Sequence, residues 1–523
     1  MTRRRILVTE SLGPKGLEYL RERAEVDAYD LLPPEQLPEL MGHYDAVIIR
    51  SAHRLTRELL ANKPRLKVVA RAGAGVDNVD LEAATEFGIA VINAPGANAI
   101  AAAEHTFALM LATMRNVPSG NDHVRQGGWD RAAFLGRELY EKRLGIIGLG
   151  RVGRQVARIA HGFRMPVAAF DPFLATEIFR AHDVEEFTTL DDLLRWAEIL
   201  TIHTPKSGPK LGLRELSLLP VGAVVMNVAR GGLIDEEALA HLLETGRIHA
   251  AGVDVFSHEP PQRESPLLRA PHVVVTPHLG GSTHEAMVEV GLMTARGVLQ
   301  ALENQTPSNL VNVPIPDLPD EDLKALDRAM RILGRVFSRL NPKVHGPLVL
   351  SVGSSLSSSV IPWLRQAALA AFLDDRLDER VNTINALLVA EQQGLTLLVE
   401  ESPLRTTASI ALRWEGRPES EVAFSIEPQG QVVLRTLAGI PMEMPWPEIA
   451  LVTRHHDAPG VVGRVGTVVG QYDVNIGQLH LGRRSAGDEA VMVLTLDALP
   501  PEELLSALAA QPGIGSVYRF SDA

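Results

Sequence analysis

Cysteine is absent from this chain of 523 residues. Without a thiol the chain cannot form a disulfide, a thiolate nucleophile or a cysteine-ligated metal centre. It also lacks a run of about 18 uncharged apolar residues, the minimum for a membrane-spanning helix. Its first apolar run, Ile6–Val8, is much shorter than the roughly 7–15 residues of a signal peptide core. We therefore expect a cytoplasmic protein with no membrane partner.

Excess positive charge is missing as well, because 64 acidic residues outnumber 51 lysines and arginines and give a formal net charge of −13. Nucleic acids and anionic membranes would not attract such a chain overall, so no nucleic-acid partner is expected. An anionic substrate would have to meet locally placed arginines. At about 150 residues per domain, the length predicts three or four domains.

The strongest motif is a short apolar run followed directly by G-x-G-x-x-G, formed by Gly148, Gly150 and Gly153. The first glycine would close a strand-to-helix turn, the second would admit a pyrophosphate, and the third would let the helix pack on the strand. A second predicted strand ends at Asp171, about 20 residues further on, where an acid binds the ribose hydroxyls of NAD and repels the 2′-phosphate of NADP. The motif therefore predicts an NAD site.

Apolar runs alternate with helical stretches on both sides of this motif, which is typical of parallel sheets. Two long helical stretches, Ala99–Arg115 and Thr283–Asn304, lead the chain into the motif-bearing unit and out of it. We predict an α/β protein with two Rossmann-like, doubly wound parallel-sheet domains. The nucleotide-binding domain, 99–281, is inserted in a substrate-binding domain formed by 1–98 and 282–313.

The C-terminal part predicts two further units. Prolines are frequent in Val313–Asp320, which favours an extended linker. Residues 321–446 combine a helical stretch, Lys324–Leu340, with strand-like segments such as Thr406–Trp414, and predict an α+β intervening domain without a catalytic motif. Residues 447–523 follow the order strand, helix, strand, strand, helix, strand, which is the ferredoxin-like βαββαβ pattern.

Three candidate catalytic residues each follow a predicted strand, at the sheet edge where ligands collect. His278 can take and return a hydroxyl proton near neutral pH. Glu259 beside it would hold the ring and stabilise the imidazolium. Arg230 would bind a carboxylate and polarise the forming carbonyl. Together they suit oxidation of an alcohol by hydride transfer, although the histidine and glutamate could instead serve only structural pairing.

These motifs resemble the D-isomer-specific 2-hydroxyacid dehydrogenase family. Its arginine lies in A-R-G-G, its glutamate in D-V-F-x-x-E-P and its histidine in P-H-L-G, which match Arg230, Glu259 and His278. Arg71–Asn78 and Ala101–Thr106 also match. The two C-terminal units are similar to the long form of the family, which has an intervening domain of the allosteric substrate-binding type and an ACT regulatory domain.

The resemblance implies oxidation of 3-phospho-D-glycerate to 3-phosphooxypyruvate with NAD, the first step of L-serine biosynthesis. It also implies a homo-oligomer, a dimer or tetramer, with L-serine as effector. The family's pattern suggests that a neighbouring subunit contributes Arg131. The implied substrate contacts are Arg50, Arg71, Gly73, Asn98 and Arg131. The implied cofactor contacts are Ala74, Gly148, Gly150, Arg151, Val152, Gly153, Asp171, Thr204, Val228, Ala229, Asp254, His278, Gly280 and Gly281. The implied effector contacts are His455, Asp457 and Asn475.

Several alternatives remain open at this point. The enzyme could be a glyoxylate or hydroxypyruvate reductase, or the chain could be a nucleotide-sensing regulatory protein without turnover. The ACT-like tail could serve only in assembly. The chain departs from the family at Lys206 and Lys210, where neutral residues are usual, and at Ala74, where many relatives have threonine. Glu104 and His105 are interpreted as packing residues, and no metal site is predicted.

Overall fold

The computed structural model describes residues 3–303, 305–316, 318–378, 380–402 and 408–521. Two predicted element ends, Asn304 and Thr406, lie outside these residues. Within the described residues, five short 3₁₀ helices join the main elements and span Pro34–Gln36, Met41–His43, Ala132–Phe134, Ser358–Val360 and Pro428–Gly430. In the described part of the chain, no helix combines the length and apolar character needed to cross a membrane.

The first unit alternates short apolar strands with helices. Its elements are β1 (Arg5–Val8), α1 (Pro14–Arg21), β2 (Glu25–Ala28), α2 (Leu37–Leu40), β3 (Ala46–Ile49), α3 (Arg57–Leu60), β4 (Val68–Arg71), α4 (Leu81–Glu86) and β5 (Ala90–Ile92). The strands form a parallel sheet in the order β2-β1-β3-β4-β5. Its central strands are apolar on both faces because helices cover both faces.

The second unit has the same plan on a larger scale. Its elements are α5 (Ala99–Met114), α6 (Val117–Arg125), β6 (Leu144–Ile147), α7 (Arg151–Gly162), β7 (Val167–Phe170), α8 (Thr176–Ala181), β8 (Glu185–Glu186), α9 (Leu190–Trp196), β9 (Ile199–Ile202), α10 (Leu213–Leu218), β10 (Ala223–Asn227), α11 (Glu236–Glu244), β11 (Ile248–Val253), α12 (Pro266–Arg269) and β12 (Val273–Val275). Seven parallel strands lie in the order β12-β11-β10-β9-β6-β7-β8. The doubly wound α/β prediction is confirmed.

The helix α6 was not predicted from the sequence. It begins after Asn116, which has a left-handed conformation with φ of 51°, and carries Pro118 in its first turn. None of its residues is buried. The sequence therefore shows a polar stretch here, without the apolar stripe that marks a packed helix.

The long helix α13 (His284–Leu302) returns the chain to the first sheet and packs on α1. The two helices meet at Gly16 and Gly291. A Cβ atom at Gly291 would lie 2.3 Å from the backbone oxygen of Leu12, and one at Gly16 would lie 2.9 Å from the backbone of Gly291. The close approach of the two helices therefore requires glycine at both positions.

We predict that Gly291→Ala destabilises the first unit. Alanine favours a helix by about 1 kcal/mol, but the clash with backbone should cost more, about 1–3 kcal/mol for overpacking. The thermal unfolding midpoint of the variant should fall. Gly162→Ala is the matched control, since a Cβ there meets nothing within 4 Å. An unchanged midpoint for Gly291→Ala would show that the helices can separate without cost.

The third unit combines a long helix with a mixed sheet. Its elements are α14 (Asp320–Leu340), β13 (Leu348–Gly353), α15 (Ile361–Asp374), α16 (Ala386–Gln392), β14 (Leu397–Ser402), β15 (Ala408–Trp414), β16 (Arg417–Ile426), β17 (Val432–Leu437) and β18 (Ile440–Pro445). The sheet order is β14-β13-β15-β16-β17-β18. Only β13 and β14 pair in parallel; the remaining pairs are antiparallel.

The fourth unit has the predicted ferredoxin-like order. Its elements are β19 (Ile449–His456), α17 (Val461–Gln471), β20 (Ile476–Arg483), β21 (Glu489–Leu496), α18 (Glu502–Ala509) and β22 (Ile514–Ser521). The sheet is antiparallel, in the order β20-β21-β19-β22.

The third and fourth units share an apolar core with the first. Trp446 contacts Phe424 of the third unit and Phe520 of the fourth, with ring centroids 5.3 and 5.8 Å apart. In the proline-rich segment before α14, Val313 is 5% exposed and Ile315 packs against the same core. Val313 and Ile315 are therefore packed against the core, where the sequence suggested an extended linker. The exact division into domains remains a proposal.

Candidate active site

The glycine turn after β6 has the geometry of a phosphate-binding loop. Gly148 has a φ of 90°, and a Cβ there would lie 2.8 Å from the backbone oxygen of His203. A Cβ at Gly153 would lie 2.2 Å from the backbone oxygen of Gly148, whereas one at Gly150 meets nothing within 4 Å. The first and third glycines are thus required by packing. The second leaves open space at the N-terminus of α7, which favours an anion.

The residues around this turn suit a dinucleotide. Asp171 accepts hydrogen bonds from the backbone N–H groups of Leu149 at 3.0 Å and Phe173 at 3.1 Å, so its carboxylate is held against the glycine turn. The Thr204 hydroxyl is buried and has no hydrogen-bond partner among the described residues. An unpaired buried hydroxyl is costly, and a polar group of a bound cofactor would satisfy it. The residues present therefore fit NAD.

Other predicted cofactor contacts follow β10 and β12. Val228 and Ala229 are 7% and 9% exposed. A Cβ at Gly280 would lie 2.9 Å from Val228 Cγ1, and one at Gly281 would lie 2.6 Å from Asn98 Nδ2. The fold therefore brings these positions close to one another. The remaining predicted contacts, at the start of α7 and in the first unit, are Arg151, Val152 and Ala74.

His278 and Glu259 form a hydrogen-bonded pair. The His278 Nδ1–H group donates to Glu259 Oε2 at 2.7 Å, and the other carboxylate oxygen accepts from the Phe256 N–H group at 3.1 Å. This contact leaves Nε2 of the histidine for a substrate. Both side chains are partly exposed, so a substrate can reach them.

Arg230 lies at the border between the first two units. Its Nε donates to Asp77 Oδ2 at 3.2 Å, and its Nη1 donates to the Ala229 carbonyl at 2.7 Å. Its Nη2 is close to Gly75, since a Cβ at that glycine would lie 2.4 Å away. The guanidinium therefore lies beside the glycine-rich turn that follows β4.

A cleft of about 290 Å³ separates the first two units. Its walls bring together predicted catalytic residues of the second unit and predicted substrate residues of the first. The lining residues are Ser11, Leu12, Arg50, Ser51, Arg71, Ala72, Gly73, Asn98, Glu259, Pro277, His278, Gly281, Ser282, Met287 and Val290. Arg230 borders the cleft without lining it. Arg131 is exposed outside it, and a single chain does not bring it to the site.

Arg71 is a desolvated cation in the wall of this cleft. Burial lowers the pKa of its guanidinium, and the nearby charges of Arg230 and Arg50 lower it further. Its Nε is buried without a hydrogen-bond partner among the described residues. A desolvated cation that is repelled by two other cations favours an anionic ligand.

Asp254 organises the turn that carries His278. The carboxylate is fully buried, and burial alone would raise its pKa. Its hydrogen bonds outweigh burial and hold the pKa below the ordinary value of 3.8. The donors are His105 Nε2 at 3.2 Å, Thr276 Oγ1 at 2.6 Å, and the N–H groups of Leu279 at 2.7 Å and Gly280 at 2.8 Å.

We predict that Asp254→Asn lowers both turnover and stability, because an amide cannot accept all four bonds. The loss should be roughly 1.5–3 kcal/mol, the scale of a hydrogen bond to a charged group. Because the folded-state pKa is depressed, the stabilisation is present above about pH 4 and is lost as pH falls through the lower folded-state value. The difference in unfolding midpoint between wild type and variant should therefore be constant near neutral pH and narrow in acid.

Asp235→Asn is the control for this measurement. Asp235 caps α11 through its side chain, and asparagine caps a helix equally well. A midpoint difference for Asp254→Asn that stayed constant from pH 7 to about pH 3 would contradict the proposed role of the buried charge.

Several site residues were missed by the sequence interpretation. His105, interpreted as a packing residue, contacts both Asp254 and Thr276. Ser11 and Ser51 follow the carboxyl ends of β1 and β3. Those positions could have been singled out, because ligands collect at that edge of a parallel sheet. The His105 contact spans 149 residues and has no local signal.

Within one chain, Asn475 does not meet the other two predicted effector residues, His455 and Asp457, which lie close to each other. Asp457 lies next to Asp488, where its backbone N–H donates to the Asp488 carbonyl at 2.8 Å. Asn475 donates to Asp497 Oδ2 at 2.6 Å, at the other end of β21. The nine residue steps from Asp488 to Asp497, at roughly 3.3 Å each, separate these ends by about 30 Å. His455 is 4% exposed, and burial lowers its pKa. A site that uses Asp457 and Asn475 together therefore needs two chains.

Comparison with known proteins identifies two families along the chain. Residues 107–280 match the NAD binding domain of D-isomer specific 2-hydroxyacid dehydrogenases, and residues 449–513 match the ACT domain. D-3-phosphoglycerate dehydrogenase of Methanocaldococcus jannaschii is 35% identical over 98% of this chain and 99% of its own. The enzyme of the same name from Bacillus subtilis is 34% identical over 98% of both chains.

A solved structure is similar to part of this chain. The glyoxylate reductase of Paecilomyes thermophila is 30% identical, with a TM-score of 0.55, and covers 60% of this chain and 99% of its own. The fold and the site thus define an NAD-dependent oxidoreductase. The chain belongs to the D-isomer specific 2-hydroxyacid dehydrogenase family.

Proposed function

We propose that this enzyme oxidises 3-phospho-D-glycerate to 3-phosphooxypyruvate with NAD, in the first step of L-serine biosynthesis. The observation that carries the proposal is similarity along the whole chain, including the third and fourth units, to relatives named D-3-phosphoglycerate dehydrogenase. The arginines of the cleft add support, since a phosphorylated acid carries two anionic groups. The reductase structure matches only 60% of the chain and does not account for these additional units.

His278 is proposed to take the proton of the C2 hydroxyl on Nε2, while Glu259 holds Nδ1 and stabilises the imidazolium. Arg230 is proposed to bind the substrate carboxylate and polarise the forming carbonyl. Arg50 and Arg71 would bind the remaining negative charge. Bound NAD supplies the hydride acceptor. Gly73 and Asn98 line the same cleft and are proposed substrate contacts.

The remaining assignments extend this proposal. We assign the cofactor to the glycine turn, Asp171 and Thr204, with Asp254 as the partner of the nicotinamide side. Arg131 would come from a neighbouring subunit of a dimer or tetramer. We also propose a cytoplasmic location.

The substrate assignment is tested by NADH absorbance with 3-phosphoglycerate, glycerate and lactate side by side. The wild type should prefer 3-phosphoglycerate, and His278→Ala should lower kcat by about two decades or more, the scale of general acid–base catalysis, without weakening NADH binding. His43→Ala, an exposed histidine of the first unit, is the control. Turnover of His278→Ala within about threefold of wild type would remove the histidine from the mechanism. Equal rates on all three acids would reject the substrate.

The ACT domain is proposed to bind L-serine and inhibit the enzyme. A small zwitterion needs an acceptor for its ammonium group and donors for its carboxylate. Asp457 is polar and partly buried, with Arg483 Nη1 2.9 Å away and the Gly487 N–H group 3.1 Å away. Since Asn475 lies at the far end of the sheet, the proposed serine site lies between two chains.

We predict that Asn475→Ala abolishes the response to serine without changing basal activity or oligomer size. The substitution removes an amide at the proposed site and leaves the apolar faces intact. Activity against serine concentration, light scattering and calorimetry measure the three properties. Gln431→Ala, an exposed amide of the third unit, should respond like wild type. A wild type indifferent to millimolar serine, with no heat of binding, would leave the domain as an assembly module.

A further inference from the structure

Arg230 is held by a carboxylate that belongs to the other wall of the cleft. Among the described residues, Asp77 is the one carboxylate within 4.0 Å of its guanidinium. Asp77 lies after β4 in the first unit, whereas Arg230 lies after β10 in the second. Asp77 and the Ala229 carbonyl engage two edges of the guanidinium. The plane of the guanidinium is thereby fixed, with Nη2 beside Gly75.

The turn that carries Asp77 is itself well anchored. The Asn78 side-chain amide donates to the carbonyl oxygens of Arg50 at 2.7 Å and His53 at 2.6 Å. The Leu55 N–H group donates to the Asn78 carbonyl at 2.8 Å. These bonds join the loops after β3 and β4, so Asp77 has a fixed position relative to Arg50.

Stability does not explain this ion pair. The two side chains are 31% and 53% exposed, and an exposed pair contributes about 0–1 kcal/mol. The arginines near this ion pair point to a different role for Asp77, which is to hold Arg230 in place against their repulsion. Arg71 and Arg50 are close enough for their charges to interact, and Arg71 also interacts with Arg230. Without a carboxylate, repulsion would favour conformers of Arg230 that turn away into solvent.

We propose that Asp77 is a positioning residue for catalysis, one that orients the Arg230 guanidinium across the cleft before substrate binds. This inference rests on the proposed role of Arg230 as substrate anchor. A guanidinium already placed beside the turn at 73–75 does not have to be ordered when the substrate carboxylate arrives. The benefit of such preorganisation appears in kcat/KM for the hydroxyacid, with no effect on NAD binding.

The first measurement compares substitutions at Asp77 in the full-length enzyme. Asp77→Ala should lower kcat/KM for 3-phosphoglycerate about tenfold or more, the scale of one hydrogen bond to a charged group. Asp77→Asn keeps an acceptor for the Arg230 Nε–H group and should lose less. Asp77→Glu keeps the carboxylate and should recover part of the loss. The Kd for NADH and the melting temperature should not change. Glu82→Gln, an exposed carboxylate of α4, is the control for lost charge.

The second measurement is a double-mutant cycle with Arg230→Lys. Lysine keeps the positive charge but has no Nε–H group for Asp77, so Asp77→Ala should have less than about a twofold further effect in that background. The Kd for 3-phosphoglycerate from calorimetry keeps the cycle measurable if turnover is too slow. If Asp77→Ala lowers kcat/KM by the same factor in Arg230→Lys as in the wild type, the inference is overturned. Asp77 would then act through a group other than Arg230.

Two further outcomes would also overturn the inference, and they have different meanings. A higher kcat/KM in Asp77→Ala would mean that Asp77 competes with substrate for Arg230. Full activity of Arg230→Lys and of Arg230→Ala would remove Arg230 from the mechanism, and the proposed function of that residue would fail as well. If the Arg230 variants are inactive but Asp77→Ala has the same effect in the wild type and in Arg230→Lys, the inference about Asp77 fails. The proposed role of Arg230 would then still stand.

Discussion

The buried carboxylate of Asp254 is the point on which the architecture of the active site depends. It joins His105 of α5, the helix by which the chain enters the second unit, to the turn just before α13, the helix by which the chain leaves it. A buried charge without partners would cost several kcal/mol. The requirement to satisfy this carboxylate therefore fixes the turn, and with it the direction of His278. Substitution of one partner of Asp254 would disturb both the contact between α5 and this turn and the position of His278.

The cleft between the first two units is positively charged, although the protein as a whole is acidic. The chain as a whole carries −13, yet Arg50, Arg71 and Arg230 converge where the two parallel sheets present their carboxyl ends. Long-range steering of an anion is not expected from the net charge. Capture must therefore depend on short-range contacts inside the cleft, where low dielectric strengthens each interaction. This is the physical basis of the proposal that the orientation of the Arg230 guanidinium affects substrate binding.

Local patterns in the sequence predicted the elements that local geometry determines. The glycine turn could be predicted because Gly148 and Gly153 are required by contacts with the chain immediately around the turn and with the neighbouring strand. The ferredoxin-like order of the tail followed from the alternation of strand and helix patterns. The helix α6 was missed because an exposed polar helix carries no apolar stripe. The contact of His105 with Asp254 was missed because it depends on how two distant segments pack.

The separation of Asp457 from Asn475 depends on the register of the strands, which the order of elements in the sequence does not give. Both residues adjoin strands of one small sheet and were predicted to share one site, but the antiparallel register with β21 places them at opposite ends. A ligand that joins them must bridge two chains, so binding and assembly are thermodynamically linked.

The apolar core runs from the ACT sheet through α14 to the sheet that carries Arg50 and Arg71, whereas the second unit has two clusters of its own. A conformational change transmitted by packing from the ACT sheet therefore reaches Arg50 and Arg71 before it reaches His278. Inhibition by such a route would weaken substrate binding more than cofactor binding.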